Sequence, residues 1–249
     1  MEKLEIIRSE WEKYFNKVAT KKGFYRLADG SLGIPHYKEV LRQIFHHARE
    51  NPQIQALATV YFRGSQREVI KNFYRHAISE IGHDRLAAND LEAMGEDVSK
   101  LPYEKPLPAT LALLGYAFYQ IQFLNPIGYL GYLFHLEFMP TRSGEQYMSQ
   151  LEKVGVPRQA MSFIQEHAHV DLVHNGWMRE YIDKLVTTPE ELDAVIYSAK
   201  VTSELYANML HEAFSYADSQ SAEKRVLEPN ELRGSKIIFQ PTELSSASV

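Results

Sequence analysis

The chain has 249 residues, of which 45% are apolar, 12% aromatic and 24% charged. This length is enough to bury a large hydrophobic core. Acidic residues outnumber basic ones by 32 to 27, and the net charge of -5 argues against a nucleic-acid partner, which needs a basic face. The chain contains no cysteine, which excludes disulfides, thiolate metal sites and a cysteine nucleophile. Any metal must therefore be held by histidine and carboxylate side chains.

Neither a signal peptide nor a membrane span is predicted. Residues 1–11 mix charged and apolar side chains, where a signal peptide needs a basic stretch followed by a continuous apolar one. The most apolar segment, 111–134, is long enough to cross a bilayer, but Gln120, Asn125 and Pro126 interrupt it. Polar groups at that depth are costly in lipid, so the segment is interpreted as a buried helix of a cytoplasmic protein.

Helix start and stop signals recur along the chain, whereas the alternation typical of strands does not. Gly64 suits a helix end, Ser65 and Glu68 form a capping-box pattern, Pro157 suits a first helical turn, and Thr188 suits an N-cap. These signals predict helices over residues 2–18, 35–62, 65–94, 109–138, 145–154, 157–185 and 188–216. The sequence therefore predicts an all-α, single-domain bundle of about six to seven helices over residues 1–217, followed by a polar C-terminal tail over 218–249.

The central apolar helix contains a predicted break. The Asn-Pro step at 125–126 removes a backbone donor and is expected to break or kink the helix. Gly128 and Gly131 follow, with Tyr129 and Tyr132 beside them. Two interpretations stay open: these four residues line a substrate pocket at the bend, or they serve close helix packing and the core.

Two segments carry the residue types and spacing of helical metal sites. Glu80 and His83 are three residues apart on a predicted helix, so they share a face and can bind one ion. At 100° per residue, His167, Asp171 and His174 fall within one narrow stripe of another helix. The sequence contains three acid-x-x-His pairs against roughly one expected by chance, so the spacing alone is a weak signal.

Glu137 ends a very apolar segment and supplies a lone carboxylate. Burying a carboxylate without a partner costs several kcal/mol or makes the group neutral. A metal cation is one partner that offsets this cost, and an Arg or Lys is the alternative. For the stripe at 167–174, the alternative is a cluster of hydrogen-bonded core histidines.

The combination is more specific than any single pair. Carboxylate-bridged two-metal sites in helical bundles take an acid-x-x-His pair from each of two helices and lone carboxylates from others. A set of three carboxylates and three imidazoles without sulfur suits iron or manganese. The predicted metal ligands are Glu80, His83, Glu137, His167, Asp171 and His174. Glu50 is considered as an additional carboxylate, and His76 as a substitute for His83.

At these residues the chain resembles the haem-oxygenase-like diiron oxidases. Their fold is shared with haem oxygenase, the thiaminase-II-type proteins and the PQQ-synthesis oxidase. The resemblance covers about residues 35–215 and is carried by Glu-Ile-Gly-His-Asp at 80–84, Leu-Glu-Ala-Met-Gly at 91–95, the glutamate at 137 and His-x3-Asp-x2-His at 167–174. It implies that the six predicted ligands bind two iron ions, with manganese as an option. It also implies an O2-dependent oxidase or oxygenase that acts on a small organic substrate.

Other activities on the same fold fit the sequence less well. A thiaminase-II-type hydrolase relies on a cysteine nucleophile, which this chain lacks, and a haem oxygenase needs a histidine near its N-terminus, where residues 2–18 have none. A ferritin-like storage protein would want a second lone carboxylate, for which only Glu50 is available. The alternative that stays open is a non-catalytic metal-binding or interaction protein of the same helical fold. A homodimer is one expectation for the oligomeric state, which the sequence leaves undecided.

Overall fold

The computed structural model describes residues 2–20, 26 and 30–219, with the backbone alone for residues 169–175. This part of the chain is built from helices and contains no strand, so the all-α prediction is confirmed. Most of the predicted tail lies outside the described residues. The α-helices are α1 (Lys3–Ala19), α2 (Ile34–Ala48), α3 (Asn51–Ala58), α4 (Ile70–Glu80), α5 (His83–Ala93), α6 (Pro108–Phe123), α7 (Tyr129–Lys153), α8 (Ser162–Leu185) and α9 (Pro189–Ser219). Short 3-10 helices span Thr59–Tyr61, Gly64–Val69, Leu101–Tyr103, Pro126–Gly128 and Arg158–Ala160.

Helix α9 is the longest element, and the bundle is assembled around it. It packs against α1, α2, α6 and α7, while α7 also packs along α8. Helix α1 illustrates the physical reason for this packing. Its buried residues recur every three or four positions: Leu4, Ile7, Trp11, Phe15 and Val18. Such spacing gives one apolar stripe, which can only be buried against a neighbouring helix.

The prediction of one continuous helix over residues 35–62 is wrong. It is divided into α2 and α3 at Arg49 and Glu50, and a 3-10 turn follows α3. Pro52 lies in the first turn of α3. Because proline lacks the backbone donor and clashes with the preceding turn, α2 cannot continue through this position.

The helix predicted over 65–94 is also divided. Residues Gly64–Val69 form a 3-10 helix in which Gln66 accepts from the Arg63 backbone N–H, so the predicted capping box at 65–68 does not form. Helices α4 and α5 are separated at Gly82, whose φ of 102° lies in the left-handed region. An L-residue with a side chain rarely adopts this conformation, and glycine permits the break.

The predicted break at 125–126 is confirmed. The Asn125 side chain accepts a hydrogen bond from the Ile127 backbone N–H at 3.1 Å and starts the 3-10 turn Pro126–Gly128. Helix α7 then runs beyond its predicted end at residue 138, and the short helix predicted over 145–154 is part of it. Pro140 lies inside α7 and removes the backbone hydrogen bond that its turn would otherwise make to Leu136.

The last two helices begin by different means. Helix α9 begins as predicted: Thr188 Oγ1 accepts from the Glu191 backbone N–H at 3.2 Å, and the Glu191 carboxylate accepts from the Thr188 N–H at 2.9 Å. Helix α8 begins at Ser162 rather than near Pro157, because a 3-10 turn intervenes. In the described part of the chain, no helix is long and apolar enough to cross a membrane.

Candidate metal centre

The break between α4 and α5 places two predicted ligands in contact. Glu80 is the last residue of α4 and His83 the first of α5. His83 Nδ1 lies 2.9 Å from Glu80 Oε2. The sequence argument expected both residues on one helical face. The contact is instead made across the turn at Gly82, which separates the two helices.

His76 and Glu137 extend this cluster into the core. His76 Nε2 lies 3.0 Å from Glu137 Oε1 on α7 and 3.7 Å from Glu80 Oε1 one turn along α4. His76 is completely buried, and Glu80 and Glu137 are 9% and 6% exposed. The sequence argument placed Glu137 and Glu80 in one site, and the structure brings the two carboxylates together with His76 between them.

Helix α8 contributes His167 from the opposite side. The His83 and His167 rings are 4.7 Å apart and nearly perpendicular. His167 Nδ1 lies 2.7 Å from the Phe163 carbonyl oxygen, to which it donates. This bond assigns the proton to Nδ1 and leaves the Nε2 lone pair available for a metal ion, as is usual for metal-binding histidines.

Two groups of ligand atoms result, and they share one carboxylate. One group is Glu80, His83 and His167, and the other is His76, Glu80 and Glu137; within each, the ligand atoms lie within 4.8 Å of one another. A carboxylate has two oxygens, so Glu80 can serve both groups at once. The arrangement is therefore compatible with two neighbouring cations bridged by Glu80.

Asp171 and His174 follow His167 on α8, whose backbone is helical throughout. The spacings of four and seven residues therefore place these positions on the His167 side of the helix. Their side chains lie outside the described residues, so their role as ligands stays a prediction.

Asp90 on α5 fixes the start of α8. Its carboxylate is completely buried and accepts from the Ser162 backbone N–H at 2.8 Å, the Ser162 hydroxyl at 2.6 Å and the Phe163 N–H at 3.0 Å. The first backbone donors of a helix have no partner within the helix, and here a neighbouring helix supplies the acceptor. Asp90 therefore sets the position of α8 relative to α5, and hence of His167 relative to His83.

The local electrostatics favour the charge states that metal binding needs. Burial raises the pKa of the Glu80 carboxyl, but the hydrogen bond from His83 and the nearby His83 and His167 rings outweigh it, so this pKa lies below its ordinary value. Burial, together with the adjacent His83, lowers the pKa of His167. The carboxylate is therefore ionised and this imidazole neutral near pH 7.

Two cavities adjoin the cluster. The inner cavity, of about 50 Å³, is bordered by Glu80, Glu137, Tyr129 and His167. The outer cavity, of about 630 Å³, lies between α1, α2, α7, α8 and α9 and reaches the surface. Six residues border both cavities: Ile44, Met139, Pro140, Phe163, His167 and Tyr206. A small molecule in the outer cavity would therefore lie next to the candidate ligands.

The residues predicted to line a substrate pocket separate into two groups. Tyr129 borders the inner cavity, whereas the buried Tyr132 hydroxyl contacts His47 Nε2 at 2.7 Å and Asn51 Oδ1 at 3.0 Å. Gly128 and Gly131 border neither cavity and pack closely against their neighbours. A Cβ at Gly131 would lie 2.1 Å from the Val195 carbonyl oxygen on α9, so this glycine permits close approach of two helices.

Glu50 is not in either group of candidate ligands and forms an ion pair with Arg49 at 3.7 Å. His135, which was not predicted to be a ligand, is buried and accepts a hydrogen bond from the Trp11 indole at 3.0 Å. Its burial lowers its pKa to about 3. Both residues are therefore explained by ordinary packing and pairing.

Sequence reasoning underestimated His76, although a signal was present. His76, Glu80 and His83 form a His-x3-acid-x2-His pattern, the same pattern as His167, Asp171 and His174. The repetition of an uncommon three-residue pattern on two helices would have identified His76 as part of the site. Asp90 had no comparable signal, since its partners are more than seventy positions away.

Comparison with known proteins identifies the family. A sequence model of a family of iron-containing redox enzymes matches residues 38–207, which is more than half of the chain. The chain therefore belongs to this haem-oxygenase-like family of iron-containing redox enzymes. A search of curated protein sequences gave no match.

Solved structures support the same fold. The chain is similar to a domain of unknown function with a haem-oxygenase-like fold from Shewanella denitrificans, with a TM-score of 0.80, 22% identity, and coverage of 90% of this chain and 98% of that one. It is similar to a TenA homologue from P. horikoshii (TM-score 0.70, 13% identity, coverage 86% and 99%). It is also similar to a CADD-like protein of unknown function from Nostoc punctiforme (TM-score 0.61, 16% identity, coverage 87% and 98%). The predicted haem-oxygenase-like fold is thereby confirmed.

Proposed function

We propose that the protein is an O2-dependent, non-haem iron oxidase or oxygenase that binds two metal ions and acts on a small organic substrate. The ions are two irons, or iron with manganese. The observation that supports this proposal is the convergence of buried and half-buried His and Glu side chains from α4, α5, α7 and α8 into two groups that share Glu80. Such a donor set without sulfur suits iron and manganese.

The residues present fit a pair of cations. His83 and His167 would hold one ion, His76 and Glu137 would hold the other, and Glu80 would serve both. Asp171 and His174 are proposed to add ligands from α8. Bound iron supplies the redox chemistry with O2 that amino-acid side chains lack.

The chain's own contribution is position, protonation state and space for the reactants. The Phe163 carbonyl holds the His167 tautomer, and the Asp90 cap holds the helix on which His167 lies. The buried inner cavity beside Glu80 and Glu137 has space for a molecule the size of O2, because a single water needs roughly 10–15 Å³ of such space. The larger outer cavity is the proposed entrance for the organic substrate.

The proposal is tested by anaerobic titration of the full-length protein with Fe(II), with bound iron measured by metal analysis. We expect two ions per chain, because there are two groups of ligands. Glu80→Ala is expected to lose both ions, since Glu80 serves both groups, whereas Glu137→Ala is expected to keep one. Glu166→Ala is the matched control, because Glu166 is an exposed acid next to His167 and is expected to bind iron as the wild type does.

Exposure of the iron-loaded protein to O2 then separates enzyme from binding protein. We expect O2 consumption and a transient visible absorption band, both absent from Glu80→Ala. A wild-type protein that binds neither iron nor manganese would reject the metal centre. A Glu80→Ala variant that binds as much metal as the wild type would reject it as well. Iron binding without any reaction with O2 would favour the non-catalytic alternative.

A further inference from the structure

Helix α6 is apolar on both of its faces. Its inward face is buried against the bundle and carries Thr110, Leu113, Leu114, Ala117, Gln120 and Ile121. At 100° per residue, its exposed positions share about 120° of the opposite side and are Leu111, Ala112, Gly115, Tyr119, Gln122 and Phe123. A surface helix usually has a charged or polar outer face, whereas a helix that is apolar all round is a buried one. The outer face of α6 therefore has the composition of a covered surface.

Exposed apolar side chains are concentrated at this place. Ten large apolar side chains are exposed in the described part of the chain, and half of them lie here: Leu111, Tyr119, Phe123, Leu124 and Tyr197. The Tyr119 and Phe123 rings are 5.3 Å apart. Burial, together with the nearby Tyr197, raises the pKa of Tyr116 to about 12, which places Tyr197 of α9 near α6. These five exposed side chains form one surface, the α6 patch, and large exposed apolar patches mark interaction sites.

The α6 patch lies in a long stretch without charge. No Asp, Glu, Lys or Arg occurs between Lys105 and Glu137. The chain as a whole has a net charge of -5, so two copies repel one another over much of their surface. At the α6 patch, two copies can approach without desolvating or opposing any charge of α6 itself. A charged partner would gain nothing at this face, whereas an identical face complements it.

Gly115 lies at the middle of α6 and of its exposed face. Seven residues of the helix precede it and eight follow it. Glycine inside a helix is less favourable than alanine. In the described part of the chain, a Cβ at this position would meet no atom within 4 Å, so no contact within the chain explains the glycine. Close approach of a second helix would explain it, because a missing Cβ lets two backbones come together.

The exposed side chains are symmetric about Gly115. Leu111 precedes it by four residues, Tyr119 follows it by four, and both are exposed. When two α6 helices cross antiparallel at Gly115 about a twofold axis, Leu111 of each copy meets Tyr119 of the partner subunit. A twofold interface has this reciprocity, in which the same two residues contact each other twice.

The exposed area is sufficient for a dimer. The five side chains of the α6 patch are between 41% and 69% exposed. Since a large apolar side chain offers roughly 150–250 Å², the patch supplies about 500 Å² from each copy and about 1,000 Å² from two. A specific interface needs about 1,000 Å² in total, and the smaller exposed residues of α6 add to this area.

We propose that the protein forms a twofold homodimer through the α6 patch, with the two α6 helices antiparallel and crossing at Gly115. The partner that this surface recognises is a second copy of the same chain. The candidate ligands lie on α4, α5, α7 and α8, so each copy keeps a complete set and the dimer does not depend on the proposed function.

Sedimentation velocity of the full-length protein over a concentration series measures its mass in solution. We expect the mass to rise from the 28.7 kDa of one chain to twice that value. Leu111→Glu should weaken the dimer at least about a hundredfold, because each dimer would bury two unpaired carboxylates. Ile78→Glu is the matched control on α4, since Ile78 is 66% exposed and Leu111 54%, and it should dimerise as the wild type does. Tyr119→Glu replaces Leu111→Glu if circular dichroism shows that the latter does not fold.

The antiparallel crossing is tested by a double variant. Adding Tyr119→Lys to Leu111→Glu should strengthen the dimer about tenfold over Leu111→Glu alone, because each new carboxylate then faces an ammonium group of the other copy. Positions eight residues apart are not neighbours on one helix, so the two groups cannot pair within a single chain.

Gly115→Ala separates the interface from the stability of the single chain. It should raise the urea midpoint of the monomer at low concentration, because alanine favours the helix and the site has space. It should also weaken the dimer about tenfold, since the added Cβ would separate the two crossing helices.

A protein that stays monomeric at every concentration would overturn the proposal, and its binding to phosphatidylcholine vesicles would assign the α6 patch to a lipid surface instead. A dimer that Leu111→Glu and Tyr119→Glu leave unchanged would place the interface elsewhere. A double variant as weak as Leu111→Glu alone, or a Gly115→Ala dimer as tight as the wild type, would reject the crossing at Gly115.

Discussion

Two glycines of helix α7 lead to stability predictions of opposite sign, because Gly131 lies at the close contact with α9 and Gly144 does not. A Cβ at Gly131 would lie 2.1 Å from the Val195 carbonyl oxygen and 2.6 Å from the Ala199 backbone nitrogen, closer than the 3.0 Å that real Cβ atoms respect. A Cβ at Gly144 would lie 3.5 Å from the Ala168 Cβ, an ordinary contact. Gly131→Ala is therefore expected to destabilise the protein and Gly144→Ala to stabilise it.

The magnitudes follow from two opposing effects. Replacing glycine by alanine within a helix contributes up to about 1 kcal/mol of stability. At Gly131 the added Cβ would meet the backbone of α9, which cannot rotate away as a side chain can. Helices α7 and α9 must therefore separate by about 1 Å, and overpacking of this kind costs roughly 1–3 kcal/mol or more. We expect a net loss of about 2 kcal/mol in the free energy of unfolding for Gly131→Ala, and a gain of about 0.5–1 kcal/mol for Gly144→Ala.

Urea denaturation of the metal-free proteins measures both values, provided that the slope m is unchanged. Because Glu137 lies less than two turns beyond Gly131 on α7, Gly131→Ala should also weaken metal binding, while Gly144→Ala should not. Equal stabilities of the two variants, or a more stable Gly131→Ala, would show that α7 and α9 do not approach as closely as described.

Four further substitutions test other parts of the structure. Burial raises the pKa of Glu39 to about 7 from an ordinary 4.5. Folding therefore favours the protonated acid, and wild-type stability should fall by up to about 3 kcal/mol as the pH rises from 4.5 to 7. Glu39→Gln should lack this fall in urea titrations at about pH 5 and about pH 8, and a parallel pH dependence would contradict the assignment. Asp90→Ala should lose about 3 kcal/mol of stability and weaken Fe(II) binding, because it leaves buried donors of α8 unpaired, whereas exposed Asp183→Ala should change neither. Thr188→Ala should lose about 1 kcal/mol of stability without changing metal binding; no change in the urea midpoint would argue against the cap. His76→Gln should reduce bound iron from two ions to one by metal analysis, and undiminished binding would remove His76 from the ligands.

Features encoded by neighbouring residues were predictable from the sequence. The start of α9 is one, because Thr188, Pro189 and Glu191 lie within four positions and make the cap among themselves. The break at 125–126 is another, since proline acts on its own turn. The start signal at Pro157 also predicted that His167 lies on a helix, and the apolar segment that ends at Glu137 predicted that this carboxylate enters the interior.

Features that depend on distant partners or on a single backbone conformation were not predictable. Gly82 was compatible with a continuous helix, and only the tertiary structure selects its left-handed conformation. Asp90 looks like an ordinary acid in a polar helix, yet its partners are the first residues of α8. Close packing at Gly131 depends on the path of α9, so the sequence left pocket and packing as equal alternatives.

The same His-x3-acid-x2-His pattern is used on two different backbones. In α8 the helix is continuous, so the three positions lie along one side of it. In the first copy the chain breaks at Gly82, between Glu80 and His83, so the three residues come from two helices. Glu80 contacts His83 through one oxygen and faces His76 with the other, and His76 in turn contacts Glu137. Residues three and four positions apart are neighbours on a continuous helix as well, so it is the two oxygens of Glu80, and not the break, that allow a single carboxylate to serve both groups of ligands.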